Sequence, residues 1–196
     1  MGAPVRRGPV GGGLAGKGGP VRRAALAFLL LTLLVTGCAA DPAHNETDVM
    51  FLQMGLAQIA EGDQVAVVAE QSAVNPGVRT LAAELRGQWQ SESATMRGWL
   101  TDWDQPETAA KATGLHAGHG DLHALQPGDI DGLRAAKGSD FDRIAVALLL
   151  GNLHNTMETL RMATAGSAYP KVKSLAETMT ATRQGQIQRL LALAAG

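Results

Sequence analysis

One cysteine, Cys38, is all the chain holds, so an intrachain disulfide cannot form. The Glu-x-x-His repeat, which a di-metal carboxylate oxidase needs twice, does not occur anywhere. Nor does the Gly-x-Ser-x-Gly elbow of a serine hydrolase. Aromatic residues are scarce, at 4% of the chain, so each one that is present has a large share of any aromatic packing. An apolar run of about 20 residues, the length of a membrane-crossing helix, is also missing. The longest, 24–36, stops after 13 residues. Together these absences speak against an enzyme of either type and against a permanent helical span.

Acidic residues are missing from the first 37 positions, which carry five basic ones: Arg6, Arg7, Lys17, Arg22 and Arg23. A basic segment followed by a short apolar run is the pattern of an export signal. The run closes on Val35-Thr36-Gly37-Cys38, which resembles the bacterial lipobox. That resemblance implies a Cys38 that is diacylated and becomes the new N-terminus. Two acyl chains form a stable anchor where one holds only marginally. The expected organisation is a signal peptide over 1–37, a tether over 38–46 and a helical domain over 47–195. The protein is then lipid-anchored at the outer face of the cell membrane, or secreted if Cys38 is not acylated. The tether would keep the first helix within about 30 Å of the bilayer even when fully extended.

With the signal's basic residues removed, 12 basic residues face 18 acidic ones, a net charge of −6. Such a surface repels phosphate, which argues against a nucleic-acid partner.

Set against itself with an offset of 94, the sequence matches without a gap. Asp48 meets Asp142, Ala69 meets Ala163, Pro76 meets Pro170, Val78 meets Val172, and Leu81-Ala82 meets Leu175-Ala176. Apolar Met54, Leu56 and Met96 meet Leu148, Leu150 and Leu190. This reads as an internal duplication. Each copy is rich in Ala, Leu, Met, Gln and Glu and is broken once by proline, the pattern of helix, turn, helix. Val78, Ala82, Leu85, Trp89, Met96, Trp99 and Trp103 recur at steps of three, four or seven. Val172, Leu175, Met179, Leu190 and Leu193 recur at steps of three, four or eleven, which also keep to one helical face. One apolar stripe per helix lets two hairpins bury their stripes against each other. The expected fold is all-α, a four-helix bundle, with helices over 47–73, 76–103, 139–166 and 170–194. Copy one is 47–103, copy two 139–194, and a linker over 104–138 contains a short helix near 130–137. Hairpins pairing between chains would make a homo-oligomer.

The segment His44-Asn45-Glu46-Thr47-Asp48-Val49-Met50-Phe51, with Met54, resembles the start of the domain of unknown function 305 family. The resemblance continues through Asn75-Pro76-Gly77-Val78-Arg79, Met96-Arg97-Gly98-Trp99-Leu100 with Trp103 and Pro106, and Gly138-Ser139-Asp140-Phe141-Asp142-Arg143. It implies a ferritin-like helical bundle, commonly exported, with some members binding copper or silver. It also implies adjacent histidines in the first helix of each copy, where imidazole and thioether groups suit copper. Here those positions hold Gln58-Ile59 and Asn152-Leu153. An amide is a poor ligand for a soft metal and an aliphatic side chain is none. His154 lies two positions beyond the second pair and points to another side of the helix. The family's glutamate in the second helix is present as Glu92, and its counterpart in copy two is Gln186.

The remaining metal candidate is His116, His119 and His123 in the glycine-rich linker, with His44 or Asp121 able to complete a tetrahedral set. Copper or zinc would be the ion. The expected role is that of a non-enzymatic, membrane-anchored helical protein with a structural or interaction function. Its rival is a low-affinity copper or zinc binder that uses the linker histidines.

Overall fold

The first hairpin begins where side chains can satisfy free backbone N–H groups. The computed structural model describes residues 43–108, 125–126 and 128–195. Cys38, His116, His119, Asp121 and His123 lie outside the described residues. The first helix, α1 (Glu46–Ser72), opens on a reciprocal cap. The Asn45 side chain accepts from the Asp48 amide at 2.9 Å, and the Asp48 carboxylate accepts from the Asn45 amide at 2.8 Å. The second, α2 (Pro76–Asp102), has proline in its first turn, where no N–H is missed, and Asn75 accepting from Gly77 at 2.8 Å. A short α3 (Asp129–Ala135) precedes α4 (Gly138–Gly166) and α5 (Pro170–Ala195). The four long helices agree with the expected spans to within a residue at each end. The short one begins and ends slightly earlier than expected. All five elements among the described residues are helical, and none of them is long and apolar enough to cross a membrane.

The helix α1 packs closely on α2 and on α4, and α4 packs closely on α5. Their apolar stripes meet in one core. Leu52, Leu85, Leu149, Leu153 and Leu160 are completely buried, each contributing about 1.5–3 kcal/mol of apolar burial. Of the expected stripes, Val78, Ala82, Leu85, Trp89, Met96, Val172, Met179 and Leu190 are buried. Trp99, Trp103, Leu175 and Leu193 pack on the core from its margin. Leu133 anchors α3 there.

Two carboxylates hold the hairpins together. Asp48, at the start of α1, accepts from the backbone amides of Ala168 at 3.2 Å and Tyr169 at 3.1 Å, in the turn between α4 and α5. Asp142, at the start of α4, accepts from Val74 at 2.9 Å and Asn75 at 2.8 Å, in the turn between α1 and α2. Charge-assisted bonds of this kind are stronger than neutral ones. Each hairpin therefore caps the other's turn.

The fourth seam, between α2 and α5, is different. The two helices run antiparallel with sparser backbone contact, and long polar side chains cross the gap. Arg189 binds Glu84, the Gln186 amide donates to the Gln88 Oε1 at 2.7 Å, and Arg183 binds Glu92.

Candidate site in the bundle interior

On α1 and α4, Gln58 and Asn152 face each other and both are buried. Asn152 Nδ2 donates to the Gln58 backbone carbonyl at 2.8 Å, and Gln58 Nε2 donates to Thr159 Oγ1 at 2.9 Å. Gln58 Oε1 has no partner. Helix α1 carries glycine at position 62 because a Cβ there would lie 2.6 Å from both Asn152 Oδ1 and Trp89 Cη2. Around this contact Ile59 and Leu153 are buried and aliphatic. The donors that converge here are amides and hydroxyls. They do not fit copper, which favours imidazole and sulfur.

On α2 and α5 the interior holds an ion pair. Arg183 is 0% exposed and Glu92 7%. The guanidinium donates to Glu92 Oε2 and, at 3.1 Å, to Gln186 Oε1, and it lies 5.9 Å from the Trp89 ring centroid. Gln88 Nε2 donates to the other Glu92 oxygen at 2.7 Å. Burial pulls the Arg183 guanidinium below its ordinary range, while the charge and hydrogen bond of Glu92 pull it back up. Arg183 Nε is left without a partner. No group of three or more His, Cys, Asp or Glu gathers into a metal-holding cluster among the described residues.

The sequence pattern of the domain of unknown function (DUF305) matches residues 48–194. The chain belongs to the DUF305 family. No protein with a curated description matches it. Solved structures with the same fold include a DUF305 protein of Streptomyces coelicolor that is thought to be secreted. It has a TM-score of 0.69 at 16% identity, over 80% of this chain and 93% of that one. A DUF305 fragment from Deinococcus radiodurans aligns with a TM-score of 0.68 at 19% identity, over 79% of this chain and 99% of that one. CopM in its Cu(II)-bound form aligns with a TM-score of 0.64 at 20% identity, over 76% and 95% of the two chains. CopM has also been solved with Cu(I) and with silver.

In this DUF305 chain, the described residues singled out from sequence fall at more than one place. Gln58 and Asn152 meet in the interior, whereas His44 lies at the start of α1, stacked on Trp103 with ring centroids 4.2 Å apart and planes 8° from parallel. His154 is exposed on α4. The residue that sequence reasoning missed is Arg183. Its signal was its place in step with Met179, Ile187 and Leu190 on the stripe of α5, opposite the Trp89 position at the offset of 94.

Proposed function

We propose that this DUF305 protein is an exported, lipid-anchored, non-enzymatic helical protein with a structural or interaction role at the outer face of the cell membrane. We further propose that it is a ferritin-like bundle made by duplication of one hairpin, and that its interior does not hold a metal. The observation that carries the reading is the buried Arg183 beside Glu92. The charge of Glu92, the interior carboxylate nearest to a ligand role, is already matched by the chain's own cation. An incoming metal would have to displace a guanidinium that is hydrogen-bonded on two sides. The repulsion is large. At about 5 Å and an effective dielectric of about 20, each unit of positive charge costs roughly 3 kcal/mol against Arg183. The reciprocal clamps of Asp48 and Asp142, separated by the same offset as the matched sequence, support the duplication.

A second reading is favoured by CopM, whose structures hold copper and silver. In it, this chain binds copper or zinc through His116, His119 and His123 in the linker. Titration of the purified mature protein with Cu(I), Cu(II) and Zn(II) separates the two. The first reading expects no site tighter than about 10 μM, close to −7 kcal/mol. Stoichiometric binding that disappears when the three linker histidines are replaced by alanine would establish the second reading. Tight binding that survives the replacement would refute the claim about the interior.

A further inference from the structure

The end of the bundle nearest the tether gathers Trp99, Trp103 and Tyr169, half of the Phe, Trp and Tyr side chains of the described domain, together with His44. His44 stacks on Trp103, Trp103 lies 6.5 Å from Trp99 with the rings 13° from parallel, and Tyr169 meets Trp103 edge-on at 5.2 Å and Trp99 at 5.9 Å. Tyr169 is buried beneath the others, while His44, Trp99 and Trp103 are half-buried and make the outer layer. Three different elements contribute: the residue pair before α1, the C-terminal end of α2 and the turn before α5. Beside His44, an open depression lined by Val49, Met50 and Gln53 continues the partly apolar surface.

Ala43 is only five positions beyond Cys38, a reach of roughly 18 Å at full extension. If Cys38 is acylated, this end of the bundle cannot leave the vicinity of the lipid headgroups. We infer that the His44–Trp99–Trp103 face rests in the headgroup region of the bilayer and orients the bundle upon it. The inference rests on the lipid-anchor reading given above. Indole and imidazole rings suit that place because they pair an apolar body with a polar edge, which is why tryptophan and tyrosine concentrate at membrane interfaces. The surrounding charges identify the kind of surface. Glu46, Asp102 and Asp104 are exposed at this end against Lys171 and Lys173. That balance offers no net attraction to anionic headgroups, so the contact depends on the rings and not on a basic patch. It therefore forms on zwitterionic lipid and is insensitive to salt.

The test uses the protein purified from membranes and reconstituted into phosphatidylcholine vesicles whose acyl chains carry bromine, a contact quencher of indole emission. Trp89, 2% exposed within the core, is the internal reference. The expected result is loss of the emission of Trp99 and Trp103, with the emission of Trp89 retained, at low and at high salt alike. Replacing both outer rings (Trp99→Phe with Trp103→Phe) removes the quenchable part. Unchanged emission from vesicle-bound protein overturns the inference, as does quenching that persists in the double variant. Mass analysis of Cys38 tests the anchor separately. An unmodified Cys38 refutes the anchor reading, and the same quenching measured on the unacylated protein mixed with vesicles then decides the aromatic contact. Quenching there retains it, and no quenching overturns it.

Discussion

Replacing Glu92 by methionine leaves the Arg183 guanidinium buried with a neutral amide and an aromatic ring as its remaining partners. Arg183 has no exposed surface through which water could replace the lost carboxylate. Its remaining contacts are Gln186 Oε1 at 3.1 Å and the Trp89 ring at 5.9 Å. Breaking one side of a buried pair costs about 3–5 kcal/mol, because the surviving charge is left uncompensated. The same magnitude applies to Arg183→Met, which leaves the Glu92 carboxylate with only the Gln88 amide at 2.7 Å. The double variant removes both charges, fills their space with apolar side chains and keeps the Gln88–Gln186 amide hydrogen bond. It should fall within about 1–2 kcal/mol of the parent, or exceed it, since apolar replacements of buried pairs are often neutral or stabilising. Denaturant unfolding, followed by helical circular dichroism and by tryptophan emission, gives all four stabilities. The expected coupling is at least about 3 kcal/mol. Single effects that add to within about 0.5 kcal/mol would show that Arg183 and Glu92 do not act as a pair, and would refute the account of the interior.

Two further sets of variants probe the packing and the helix ends. Gly62→Ala should destabilise by about 1–3 kcal/mol in denaturant unfolding, because its Cβ would lie 2.6 Å from Asn152 and from Trp89. Gly87→Ala has nothing within 4 Å and should stabilise by about 0.5–1 kcal/mol, the ordinary gain of alanine over glycine in a helix. At the end of α2, Asp104 adopts φ +54°, and Gln105 N–H bonds Leu100 O at 2.8 Å while Asp104 N–H bonds Thr101 O at 3.1 Å. Helices that end this way favour glycine at the left-handed position. Asp104→Gly should therefore raise thermal stability by about 0.5–1 kcal/mol, and Asp104→Val should lower it by at least as much.

The helices were legible because they depend on local signals. Pro76 and Pro170 mark the turns, and apolar residues recur at helical spacing. The repetition of Asp48 at Asp142 was legible too. Their work was not, since a carboxylate that binds the backbone of a turn 120 residues away leaves no mark on that turn's side chains. The amides at Gln58 and Asn152 were visible through the family resemblance. Arg183 was not, because arginine on a helix is normally solvated and its burial follows from Glu92, 91 residues earlier. Gln186 was read only as the counterpart of Glu92. In space it is the partner of Arg183 and Gln88.

Residues 94 positions apart come face to face at two places in the interior: Asn152 bonds Gln58, and Arg183 lies over Trp89. On the duplication proposed above, such meetings mark where a two-fold relation between the hairpins would cross the interior. A hairpin paired with its own copy would have to set arginine against arginine or tryptophan against tryptophan at the second place. Joining both halves in one chain frees these positions from matching themselves, and here they are unlike and complementary. On that reading, specificity between the halves would lie at this axis, in two residues that could not both stand there in a homodimer of hairpins.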